Sequence, residues 1–81
     1  MEGLTEGRIV HYVLPDGPHA GEHRPAIVVK VWTGGYINLV VFMDGTNDGP
    51  GRGGCVEWAT SIQHDPAPTP PGRTWHWIEK A

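Results

Sequence analysis

The sequence predicts an all-β fold, a small SH3-like antiparallel barrel of about five strands, and three observations carry that expectation. Pro25 to Gly45 holds two β-branched runs separated only by Thr33-Gly34-Gly35, the pattern of a β-hairpin. No stretch repeats its apolar residues at the 3.6-residue period of an amphipathic helix. The other apolar segments are short, and their connections are rich in proline and glycine, as in small strongly bent sheets.

Residues 1–7 are polar and glycine-containing and are expected to be a flexible N-terminus, with a single domain from 8 to 81. Arg8 to Leu14 forms a first strand with Val10, Tyr12 and Leu14 on one face and Ile9, His11 and Val13 on the other. His11 is expected to be a half-buried histidine bonded to backbone. Pro15 ends that strand, and PDGPHAGEHRP is a loop.

In the hairpin, directly opposed residues share a face, so register can be argued from side chains. A two-residue loop sets Lys30 opposite Leu39 and Val31 opposite Asn38, which mixes polar and apolar on both faces. A three-residue loop pairs Val31 with Ile37, Lys30 with Asn38, Val29 with Leu39, Val28 with Val40 and Ile27 with Val41. One face is then wholly apolar, and Gly35 supplies the left-handed residue of the turn. Asp44 to Gly54 is a second loop. Cys55 to Gln63 reads as a half-buried strand in which Val56, Trp58, Thr60 and Ile62 alternate with Glu57, Ala59 and Ser61. The proline-rich segment 64–73 is expected to be extended polyproline II, and Thr74 to Ile78 is a final aromatic strand.

A chain of 81 residues buries only about 60% of its unfolded surface, so its core is marginal. The single Cys55 excludes an internal disulfide, and no Cys/His set has zinc-finger spacing. A homo-oligomer is therefore expected. Trp75 and Trp77 of the last strand, with Val40 and Phe42 of the outer hairpin face, are the candidate interface. The net charge of −3 gives no basic field of the kind that polymeric nucleic acid or an anionic membrane requires. No apolar run approaches a membrane span, the first residues lack signal-peptide features, and a cytosolic setting is the expectation.

Asp44-Gly-Thr-Asn-Asp48-Gly49 has the start of a calcium loop, but its twelfth position is Cys55 where a bidentate Glu is wanted, so Asx-turns are expected instead. His19 and His23, with Glu22 between them, offer metal ligands of little specificity without a helix to align them. No metal site and no cofactor are predicted. Cys55 has no recognisable nucleophile motif and reads as a small buried thiol, so no enzyme activity is expected. Arg24, Arg52 and Arg73 each lie next to Gly or Pro in irregular segments. Guanidinium forks match phosphate oxygens, and Trp32 and Tyr36 can stack a base, so these five residues are the candidate site for a phosphate-containing small molecule.

Taken together and in order, GRIVHYVL, RPAIVVKVW, NLVVFMDGTND and TWHW resemble the signature of a family of short tailed-bacteriophage proteins, over Gly7 to Glu79. The resemblance implies a phage product made in the bacterial host cytoplasm, and it brings no catalytic residues. Among the roles such oligomeric proteins take, the arginines and aromatics favour a counter-defence sponge that sequesters a nucleotide-derived immune signal, a cyclic oligonucleotide or an ADP-ribose derivative, between subunits. The alternatives are a virion accessory protein and an inhibitor that binds a host defence protein directly.

Overall fold

The computed structural model describes residues 2–44, 48, 56–67 and 70–79. Five strands form a closed barrel: β1 (Ile9–Val13), β2 (His23–Val31), β3 (Ile37–Phe42), β4 (Val56–His64) and β5 (Thr74–His76), with one 3₁₀ turn at Thr33–Gly35. No α-helix occurs among the described residues, and no helix there is long and apolar enough to cross a membrane. The first four strands run as an antiparallel meander. β5 closes the cylinder, pairing antiparallel with β1 and parallel with β4. That one parallel pair departs from a purely antiparallel barrel, and its cause lies in the proline-rich segment. Parallel neighbours need a crossover rather than a tight turn, and the chain between His64 and Thr74 supplies it.

The hairpin turn has three residues, and Trp32 N–H donates to Tyr36 O at 2.8 Å across it. Gly34 and Gly35 both take left-handed φ, 75° and 83°, so two glycines rather than Gly35 alone make the turn. The register follows the expected pairs for Val31 with Ile37 and Lys30 with Asn38, then slips by one at a bulge. Val28 lies opposite Leu39 and Ala26 opposite Val41, so the predicted pairing of Val29 with Leu39 does not form. Past the bulge the faces exchange. Val28 and Ala26 enter the core with Ile37, Leu39 and Val41, while Val29 turns out to solvent.

A second bulge reverses β4. Ile37 opposes Ile62 and Leu39 opposes Ala59, which leaves Thr60 and Ser61 facing the single residue Asn38, with Ser61 at a left-handed φ of 53°. Ala59 and Ile62 are buried, and Val56 and Trp58, expected inside, are exposed. Asn38 holds this irregularity: its Oδ1 accepts the Ser61 N–H at 2.8 Å and the Trp32 indole N–H at 3.1 Å. The bulges make a five-stranded sheet curl tightly enough to close.

The core comprises Leu4, Val10, Tyr12, Leu14, Ala26, Val28, Ile37, Leu39, Val41, Met43, Ala59, Ile62 and Trp75. Leu4 belongs to the segment expected to be flexible. That segment is instead laid along the bulged part of β2: Gly7 N–H donates to Val28 O, Val28 N–H to Arg8 O, and Val31 N–H to the Glu6 carboxylate. Trp75 is fully buried in its own barrel, which removes it from the candidate subunit interface. Trp77 packs half-buried on the core, edge-on to Trp75 at 5.3 Å and beneath Arg8 at 5.2 Å. Val40 and Phe42 do lie on the outer face, beside Trp58 and Val56 respectively.

Gly72 passes so close to Pro15 that a Cβ on it would stand 2.4 Å from Pro15 Cα and 3.1 Å from Leu14 O. Both neighbours are backbone or ring and cannot swing aside. Replacing Gly72 by Ala is therefore expected to destabilise the barrel by about 1–3 kcal/mol, the usual cost of forcing extra atoms into a packed site. Urea unfolding of the variant against the native chain measures it, and an unchanged midpoint would show that this seam is not tightly closed.

Candidate metal centre

The three adjacent strands β2, β1 and β5 each place one histidine on the outer surface of the barrel. Alternation along β1 sends Val10 and Tyr12 inward and His11 outward. In the β1–β5 ladder His11 lies directly opposite His76, which is outward because Trp75 is inward. On the other side His11 opposes Pro25, and His23, two residues away on the same face of β2, is its diagonal neighbour. The imidazole centroids are 5.9 Å apart for His11 and His23, 5.9 Å for His11 and His76, and 4.5 Å for His23 and His76.

Glu79, three residues past His76, folds back over this triangle. Its Oε2 accepts from His11 Nδ1 at 2.9 Å, and its Oε1 lies 3.0 Å from His23 Nδ1 and in contact with His76 Nε2. One ligand atom from each of the four residues lies within 4.8 Å of the others. Around a tetrahedral ion with bonds of about 2.0–2.1 Å, ligand atoms stand roughly 3.3 Å apart, so small side-chain rotations suffice to close the set on a cation.

The directions at His76 and Glu79 suit that use, because a ligating imidazole must be neutral and a ligating carboxyl ionised. Burial pushes His76 below its ordinary pKa. Glu79 opposes this, and the neighbouring His23, His11 and His64 reinforce it. For Glu79 burial acts upward, but the His11 hydrogen bond and the charges of His76 and His11 outweigh it and hold the carboxyl below its ordinary value. Next to the cluster is a cavity of about 230 Å³, lined by His23, His76 and Glu79 together with His64, Pro66 and Trp77. Among the described residues His64 Nε2 and His76 Nδ1 are buried without a hydrogen-bond partner.

Among the described residues, Arg24, Arg73 and the Trp32–Tyr36 pair, all expected at the phosphate-ligand site, lie in three separate places. Arg24 is only 14% exposed. Its Nε donates to Asp48 Oδ2 at 2.9 Å and its Nη2 to Asp48 Oδ1 at 2.5 Å, while Nη1 reaches Glu22 and the His23 carbonyl. Its fork is thus taken by a carboxylate, and Asp48, one of the acids of the calcium-like loop, is spent on the same pair. Arg73, at a left-handed φ of 62°, donates to Thr60 O and lines a separate cleft of about 360 Å³ with Trp58. Asp16 and Glu57 line that cleft too, which opposes an anionic ligand, and neither Arg24, Trp32 nor Tyr36 reaches it. Trp32 and Tyr36 are half-exposed beside the hairpin turn, where Trp32 stacks under Lys30 at 5.1 Å. Arg52 and Cys55 lie outside the described residues.

Sequence reasoning missed this cluster because its members come from three different strands and the segment after the last, and only His76 and Glu79 are near each other in the chain. His23 was weighed with the wrong partner: His19 bonds Glu22 at 2.6 Å and stands apart from the cluster. His11 meets a side chain from the far end of the chain rather than backbone. The available signal was the alternation itself, which puts His11 on the face opposite Val10 and Tyr12 and His76 on the face opposite Trp75 and Trp77.

The buried Arg24–Asp48 pair makes its own pH signature. The Arg24 hydrogen bond, helped by the Asp44 N–H and opposed by burial, lowers Asp48 from 3.8 to about 2. A depressed carboxyl stabilises the fold at pH values above its unfolded pKa and loses that contribution as pH falls through the folded one. The stability gap between the native chain and Asp48→Asn should accordingly be constant above about pH 4 and shrink towards pH 2. Arg24→Ala, which strands the carboxylate, should cost about 3–5 kcal/mol at neutral pH. Urea unfolding across that range reads both, and a gap independent of pH would mean the pair is not formed.

Compared with known proteins, the chain matches no family model, no curated protein and no solved structure.

Proposed function

We propose that this protein is a small metal-binding β-barrel, holding one Zn²⁺ or similar transition-metal ion on His11, His23, His76 and Glu79. The observation that carries this reading is the convergence of three imidazoles and one carboxylate, from three neighbouring strands and the segment after β5, within 4.8 Å. Three nitrogen donors and one oxygen suit Zn²⁺, Ni²⁺ or Cu²⁺ and are a poor match for Ca²⁺ or Mg²⁺, which take oxygen ligands. The ion would bridge β2, β1 and β5, which is useful in a chain that has no disulfide to offer and whose closing strand has only three residues. Within the phage setting that the sequence resemblance implies, the metal takes over the place first given to the arginines. Capture of a nucleotide by Arg24, Arg52 and Arg73 has less support, since Arg24 is already paired.

Zinc calorimetry on chelator-treated protein tests the reading. One ion per chain is expected, with thermal stabilisation of about 2.7 kcal/mol when free Zn²⁺ is 100-fold above its Kd and none from Mg²⁺. His11→Ala, His23→Ala and His76→Ala should each weaken binding by more than the roughly 10- to 100-fold typical of outer-sphere partners. Zinc binding that is weak, or that survives all three substitutions, would overturn it.

A further inference from the structure

The four candidate ligands are not equally fixed, and the difference bears on what the centre can do. The three histidines stand on paired strands, with side chains 23%, 29% and 9% exposed for His11, His23 and His76. Glu79 follows β5, belongs to no strand and is 48% exposed. Its two oxygens sit where the three ring nitrogens converge. That position must be given up, at least in part, when a cation enters.

Beside it opens the 230 Å³ cavity, ample against the roughly 30 Å³ share of one water molecule. Among the described residues that line it Glu79 is the one carboxylate, and it is the group the entering ligand displaces. His64, on the same lining, has a buried Nε2 with no partner among the described residues. A buried polar atom left unsatisfied is costly and marks a place where a missing partner belongs.

Resting on the metal reading above, we propose that the centre is an open one, three histidines holding the ion and Glu79 acting as a displaceable fourth ligand. The entering ligand is a small oxyanion, a carboxylate or phosphate, with one oxygen on the metal and another accepting from His64 Nε2–H. The exchange balances: the metal–Oε bond to Glu79 breaks as the metal–oxygen bond to the ligand forms, and a monoanion leaves the charge of the centre unchanged. Three-histidine sites with a free fourth position are the arrangement metal ions use for exchangeable ligands, whereas closed four-ligand sites are structural.

Cobalt-loaded protein tests this, because Co²⁺ occupies zinc sites and its visible absorption reports its ligands. Co²⁺ alone first establishes one ion per chain. Absence of any uptake speaks against the metal reading itself and is thereby separable. Acetate and inorganic phosphate are then titrated separately. A saturable spectral change with either is expected, and the stronger of the two arms identifies the ligand class. Glu79→Ala should weaken Co²⁺ binding less than any of the three histidine substitutions and bind the anion at least several-fold more tightly. His64→Phe should keep the Co²⁺ and the protein's thermal stability while binding the anion several-fold more weakly. Loss of the ion from both Glu79→Ala and Glu79→Gln would make Glu79 an obligatory ligand and the site closed. Full Co²⁺ loading with no response to either anion, in native protein and Glu79→Ala alike, would overturn the proposal equally.

Discussion

The fully buried indole of Trp75 donates its Nε1–H to Gly35 O at 2.8 Å, reaching from the closing strand to the tip of the central hairpin. An aromatic side chain of this size buries roughly 150–250 Å², which is a large share of the core of so short a chain. Its position also sets the surface chemistry. With Trp75 inward, His76 must point outward, and the pairing of β5 with β1 then lays His76 against His11. The candidate metal centre is thus the outer side of the same contact that closes the barrel. Changes at Trp75 would be felt at the histidine cluster through this shared strand pairing.

The two bulges are the second device. A regular five-stranded antiparallel sheet with strict alternation would keep Val29 and Trp58 inside and would not curl enough to meet itself. Extra residues at Val29 and at Thr60–Ser61 turn β2 and β4 over part-way along. Both irregularities border Asn38, whose side chain satisfies the left-handed Ser61 N–H and also anchors Trp32. A polar residue on the outer face, which the sequence reading used only to fix register, therefore does the work of holding the bend.

This explains what the sequence made legible and what it did not. Composition, the Thr-Gly-Gly turn and the alternation of Val10, Tyr12 and Leu14 were enough for an all-β barrel, for its strand count and for the inner face of β1. Each of these depends on neighbours along the chain. The burial of Ala26 and Val28 in place of Val29, and of Ala59 in place of Trp58, depends on where a bulge interrupts a ladder, and no residue announces that position in advance. The site was less legible still. Arg24 looked like a loop cation until the fold placed Asp48, 24 residues later, against its fork. The histidine cluster needed the order of strands around the cylinder, with β5 beside β1, before its members could be seen as neighbours.

The span between the ligands has a kinetic meaning. His11 and Glu79 are 68 residues apart, and the strands that bear His11 and His76 meet only when the barrel shuts. Joining segments so distant is the slow step in folding proteins whose contacts are mostly non-local, because the chain entropy is given up before the contacts form. An unfolded chain therefore presents scattered imidazoles with no shared focus. The four side chains share a focus only once β5 lies against β1, so on the metal reading proposed above the rate of ion uptake would report closure of the cylinder.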